Sequence, residues 1–207
     1  GEDVLLATHR LAINANSKLV TRVLIQISRF YRKNNHAELA IKYGLKAIGA
    51  ILVHDTTREL PWAYNNLAIS YEDSGDNNLA IVHYLNALQA ASKKNWQFTA
   101  LAQHNIGSIY FKQKKLSLAQ EYLESANKTF RDIEHAYYLM HSHLALGELY
   151  IEQKAYKKAV TVLQRALASA IERKDDETIS QARGHLATVY TSNKEFALAN
   201  EQNSILN

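Results

Sequence analysis

The stretch YNNLAISYEDSGDNNLAIVHYLNA, residues 64–87, holds two apolar patterns of helical period separated by a polar turn. Leu67, Ala68 and Tyr71 stand on the first, and Ala80, Tyr84 and Ala87 on the second. An aliphatic residue, a small residue and a tyrosine three positions later occur five times: Ile27, Ser28, Tyr31; Leu67, Ala68, Tyr71; Ile106, Gly107, Tyr110; Leu146, Gly147, Tyr150; and Leu186, Ala187, Tyr190. The copies follow one another at 40, 39, 40 and 40 residues. Nine residues after each tyrosine comes an alanine (Ala40, Ala80, Ala119, Ala159, Ala199), and seven further on Ala47, Ala87, Ala126 and Ala166, with Leu206 departing in the last copy.

Each unit therefore reads as helix, turn and helix. The small residue on the first helix and the alanine on the second allow close approach of two antiparallel helices, with the tyrosine ring filling the seam. One unit cannot bury both its faces, whereas stacked neighbours can, which predicts a solenoid.

The run Tyr64, Asn66, Leu67, Ala68, Tyr71, Gly75, Asp76, Ala80, Tyr84, Ala87 resembles the tetratricopeptide repeat, and the resemblance extends from about residue 20 to the C-terminus. It implies an all-α, right-handed superhelical solenoid of helix-turn-helix repeats, with roughly eleven helices and no strand. The expected repeats are 20–59, 60–99, 100–139, 140–179 and an incomplete 180–207, preceded at 1–19 by the second helix of a truncated repeat in which Ala7 takes the place of Ala47. Both termini read as cut from a longer array, and the cut ends are a possible route to self-association. The units exceed the usual 34-residue period, and longer second helices are the simplest source of the extra length. Such units resemble those of bacterial signalling proteins (peptide-sensing regulators, sensor regions of diguanylate cyclases or histidine kinases) and of the kinesin light chain.

Composition narrows the chemistry. With 47% hydrophobic and 21% charged residues, one Pro and seven Gly in 207 residues, the chain is globular and rich in long helices. A net charge of +4 neither requires nor excludes a nucleic-acid partner. Zero Cys excludes disulfides, thiolate metal sites and thiol nucleophiles. The longest apolar run, Ile48 to Val53, is far short of the ~18 residues a membrane span needs, so no membrane contact is expected. There is no phosphate-cradling glycine loop, no nucleophile elbow, no His-Glu-x-x-His and no calcium loop, which predicts no enzymatic activity, metal or cofactor. His141 and His143, two apart on a helix, point to different faces. Asp175 and Asp176 read as a solvated turn beside Lys174.

The resemblance implies that first helices line a concave groove, with inward positions two and five before the aliphatic residue and two, five and six after it. These are Arg22, Ile25, Arg29, Arg32 and Lys33; then Trp62, Asn65, Ile69, Glu72 and Asp73; then Leu101, His104, Ser108, Phe111 and Lys112; then His141, Leu144, Glu148, Ile151 and Glu152; then Gln181, Gly184, Thr188, Thr191 and Ser192. Trp62, Phe111, Leu101, Leu144 and Ile151 are expected as exposed anchors for a partner. Asn66 and Asn105 fit either a bound peptide's backbone or an inter-helix bond. The pattern that clamps chaperone tails fails at Ile25 and Leu101. A change of charge sign between Arg22, Arg29, Arg32, Lys33 and the acidic Glu72, Asp73, Glu148, Glu152 predicts a bipolar protein or peptide segment in the groove. Two other functions fit the sequence: a scaffold or dimerisation spacer, and, less favoured, an anionic-surface or nucleic-acid binder using the basic turns at Lys112–Lys115, Lys154–Lys158 and Lys194.

Overall fold

The computed structural model describes residues 19–91 and 95–195, together with residues 3, 6–8, 10, 198–199 and 201–202. Among the described residues lie nine α-helices and no strand: α1 (Leu19–Lys33), α2 (Ala37–Val53), α3 (Leu60–Asp73), α4 (Asn77–Ala90), α5 (Trp96–Lys112), α6 (Leu116–Asp132), α7 (Ala136–Glu152), α8 (Tyr156–Arg173) and α9 (Asp176–Ser192). A single 3-10 turn, Thr57–Glu59, precedes α3. The helix expected over 1–19 falls largely outside the described residues, as does Leu206, and Ala7 is exposed.

The chain forms two compact units, Gly1–Ala102 and Gln103–Asn207, with the division inside α5. In the first, Val20, Leu24, Ala47, Ile51 and Ala63 form one buried cluster, and Ile27, Tyr31 and Ala40 another. The core of the second joins Ala119, Leu123, Leu146, Leu149, Tyr150, Ala159, Leu163, Ala166, Leu186 and Tyr190. All eight repeat alanines from Ala40 to Ala166 are fully buried, as close helix contact requires. Among the repeat tyrosines, Tyr31, Tyr150 and Tyr190 are buried and Tyr71 and Tyr110 half-buried, so the rings fill seams.

The seam is more specific than a meeting of small residues. A Cβ at Gly107 would lie 2.7 Å from Leu123 Cγ, and one at Gly147 would lie 2.6 Å from Leu163 Cγ. The small residue thus receives the side chain sixteen positions on, four beyond the alanine. In the first copy the sizes shift: Ser28 faces Gly44, and Ser28 Oγ donates to the Ala40 carbonyl at 2.8 Å. The space that a leucine fills in the later copies is taken in the first by Leu67 of the next repeat, whose Cδ1 would lie 3.1 Å from a Cβ at Gly44.

The turns follow one design. Asn35, Gly75, Lys114, Lys154 and Lys194 within repeats, and Asp55, Glu134 and Lys174 between them, adopt left-handed φ of 52–87°. In every within-repeat turn the tyrosine carbonyl accepts from the N–H five residues later (His36, Asp76, Lys115, Ala155, Glu195) at 2.8–2.9 Å. These 6→1 bonds close the first helix and reverse the chain in two residues.

The extra length of the units is shared between both helices. The second helices α2, α6 and α8 run to 17, 17 and 18 residues, but α4 has only 14. The first helices α5, α7 and α9 reach 17 residues against 14 in α3, by starting earlier. Longer second helices alone are therefore not the source. Asp175 and Asp176 end as helix start rather than loop: Asp175 caps α9 by accepting the Thr178 N–H at 3.0 Å, and that bond lowers its pKa.

Candidate functional site

In the first unit, α1 and α3 face one another with the Thr57–Glu59 turn between them, and their facing sides leave an open hollow of about 740 Å³. Arg22, Ile25, Gln26 and Arg29 line it from α1, Thr56, Arg58 and Glu59 from the turn, and Trp62 and Asn66 from α3. The single Pro of the chain, Pro61, sits in the first turn of α3, where a missing N–H costs nothing, and so fixes where the loop gives way to the helix that carries Trp62.

The charges are unevenly used. Glu59 accepts from Arg22 Nε at 2.8 Å and from Thr21 Oγ1 at 2.6 Å, which ties the turn to α1. Arg29 and Arg58 are exposed and have no carboxylate partner among the described residues. Trp62 remains 53% exposed, although its ring meets Phe98 edge-on at 4.2 Å, so it is held rigid from beneath and open from above. The hollow thus presents two unpaired guanidinium groups beside one fixed indole.

Of the sequence-derived groove residues, Arg22, Arg29, Trp62 and Asn66 line this hollow, together with Ile25. Arg58 and Gln26 also line it, but they lie outside the family's inward positions and were missed. The signal for Arg58 was present: a basic residue two positions before the helix-starting Leu60-Pro61 pair, with Glu59 between. Asn66 makes no side-chain hydrogen bond among the described residues, so the inter-helix alternative is not realised there; its main-chain carbonyl accepts from Ser70 Oγ. Asn65 is buried and its Oδ1 has no donor. Ile69 and Leu101 are half-buried. Arg32 lies 3.8 Å from Asp73, and Glu72 accepts from the Tyr84 hydroxyl at 3.2 Å.

In the second unit the expected anchors are more covered than the sequence suggested. Leu144 is buried in the core because the neighbouring helices close over it, and Phe111 and Ile151 pack against the same cluster. A smaller hollow of about 370 Å³ is lined by Phe111, Glu148, Ile151 and His185, with His185 Nε2 at 3.1 Å from Glu148. Glu152 is held by Lys114 at 2.9 Å. His104 meets Phe130 edge-on at 6.5 Å and accepts the Ser108 hydroxyl on its carbonyl; Asn105 is half-buried. His141 meets Tyr137 edge-on at 4.6 Å, whereas His143 is buried, and burial, then Arg165 and Arg131, push its pKa down to about 4. Among the described residues no three His, Asp or Glu converge to hold a metal ion, and no helix is long and apolar enough to cross a membrane.

Two family models, both described as tetratricopeptide repeat, match residues 59–132 and 142–177. Response regulator aspartate phosphatase E of Bacillus subtilis is 28% identical over 113 residues, covering 53% of this chain and 30% of that protein. The chain thus spans under a third of the length of this curated relative. Among solved structures, BtubC (BKLC) from P. vanneervenii superposes with a TM-score of 0.85 at 20% identity, over 98% of this chain and 85% of that one. A putative kinesin light chain of Podosopora anserina with nearly identical TPR-like repeats gives 0.72 at 17% identity, over 89% of this chain and 92% of that one.

Proposed function

Since the chain belongs to the tetratricopeptide repeat family, we propose that it is a non-enzymatic module that binds a protein or peptide segment in the hollow between α1 and α3, within a larger bacterial signalling protein. The observation that carries this reading is the pair of unpartnered guanidinium groups, Arg29 and Arg58, beside the exposed Trp62. An indole fixed from below is a preorganised apolar anchor, and two free cations beside it select an anionic neighbour. The matching segment is an acidic stretch carrying one large apolar side chain. The acidic positions Glu72, Asp73, Glu148 and Glu152 each have a partner inside the chain, so the bipolar expectation narrows to its acidic end. The name of the Bacillus subtilis relative supports a signalling context, such as a diguanylate cyclase, a histidine kinase or a peptide-sensing regulator.

The test is fluorescence anisotropy with labelled ten-residue peptides, one set Asp/Glu-rich around a central Leu or Trp, the other with the acids replaced by Lys. The acidic set binds, and binding weakens as salt rises. Arg29→Ala with Arg58→Ala lowers the association rate and flattens the salt dependence; Trp62→Ala speeds dissociation. Equal binding of both sets, or affinity unchanged in both variants, refutes the groove and leaves the scaffold reading.

A further inference from the structure

The outer face of α4 is the least explained surface of the first unit. Leu79, Val82 and Leu85 are 39%, 48% and 41% exposed and recur every three residues along one side of the helix. In the second unit the places of Val82 and Leu85 are taken by Glu121 and Glu124 on α6 and by Thr161 and Gln164 on α8. Leu118 on α6 and Leu39 and Leu45 on α2 are exposed at the counterparts of Leu79 and Leu85, but Lys42 stands in the place of Val82, so among these four second helices α4 alone carries the stripe unbroken, and such a stripe in water marks an interface.

α4 also contains no Asp, Glu, Lys or Arg over Asn77–Ala90. Its two ionisable rings do not lie on the stripe: Tyr84 is buried, and His83 is half-buried with its ring 5.1 Å from that of Tyr71 and 6.0 Å from that of Tyr64. The stripe is symmetric about Val82, with a leucine three residues to either side and an asparagine, Asn78 and Asn86, four residues to either side. A two-fold axis at Val82 would therefore set the uncharged outer side chains of two α4 helices against each other, and no ion of α4 would lose its water.

We propose that α4 pairs with α4 of a second copy of this chain, antiparallel about a two-fold axis at Val82. One helix face is at the small end of stable interfaces, so the dimer dissociates on the order of tens of micromolar. No residue of α4 lines the hollow of Arg29, Arg58 and Trp62, so the pairing stands or falls apart from peptide binding.

The 207-residue chain has no cysteine, which makes single-cysteine variants clean reporters. Sedimentation velocity from 1 to 200 µM should show a concentration-dependent dimer, and Val82→Glu should leave a monomer throughout. Val82→Cys should oxidise to a disulfide-linked dimer at least tenfold faster than Thr161→Cys, because the axis holds residue 82 against its mate within bridging distance. A monomer at every concentration, a dimer that survives Val82→Glu, or equal oxidation of the two cysteine variants overturns the proposal. Unchanged helical circular dichroism in Val82→Glu separates loss of pairing from loss of fold.

Discussion

Leu163 occupies the space that a side chain at Gly147 would need, with Cγ 2.6 Å from an added Cβ. Gly147→Ala should destabilise the chain by about 1–3 kcal/mol, the range for overpacking a filled seam, and should cost markedly less when introduced into a Leu163→Ala background, where the clash is gone. Urea melts of the three variants check this. His143 supplies a second test. Its folded pKa, near 4, lies below the ordinary 6.5, so between those values the unfolded chain takes up a proton that the native one refuses. Stability present above pH 6.5 should fall as the pH drops toward 4, and His143→Gln should flatten the urea midpoint over that window. Tyr150 adds no titration there: burial first, and then its 2.7 Å bond to the Glu124 carboxylate, push its hydroxyl pKa up and keep it protonated. A wild type and a His143→Gln variant with parallel pH profiles would remove this role.

At the scale of the element, helices and register were readable because the motif recurs with its spacing intact, and the buried faces of α2, α6 and α8 follow from the alanines alone. The turns were readable in place but not in geometry. Their geometry comes from the tyrosine carbonyl and a left-handed residue, which Gly75 and Asn35 announce; Lys114, Lys154 and Lys194 hold it against their side-chain preference. Lys154→Gly should therefore stabilise the chain by about 0.5–1 kcal/mol in thermal or urea melts, since the position has no ion partner to lose. A loss of stability would mean that the lysine side chain contributes to the turn. The exposure of the expected anchors was half-readable: Trp62 is 53% exposed with its ring on Phe98, while Leu144, at the position that Ile25 holds in the first copy, is covered by neighbours that periodicity does not reveal.

Over the whole molecule, the two units share a repeat but differ in what they leave open. In the first, Arg29 and Arg58 line a hollow without a carboxylate partner among the described residues, beside the exposed indole of Trp62, and α4 carries an uncharged apolar stripe. In the second, Glu152 and Glu148 are tied to Lys114 and His185, and the places of Val82 and Leu85 are held by Glu121, Glu124, Thr161 and Gln164. Sequence positions carried from the family located Arg22, Arg29 and Trp62, but pairing depends on which charges meet, and that is set by the stacking of helices. Amide hydrogen exchange with an acidic, leucine-containing peptide at saturation measures the central claim most directly. Protection should appear across residues 22–29 and 56–66 in the wild type and vanish in Arg29→Ala with Arg58→Ala. Protection confined to other segments, or unchanged in that variant, would contradict the site.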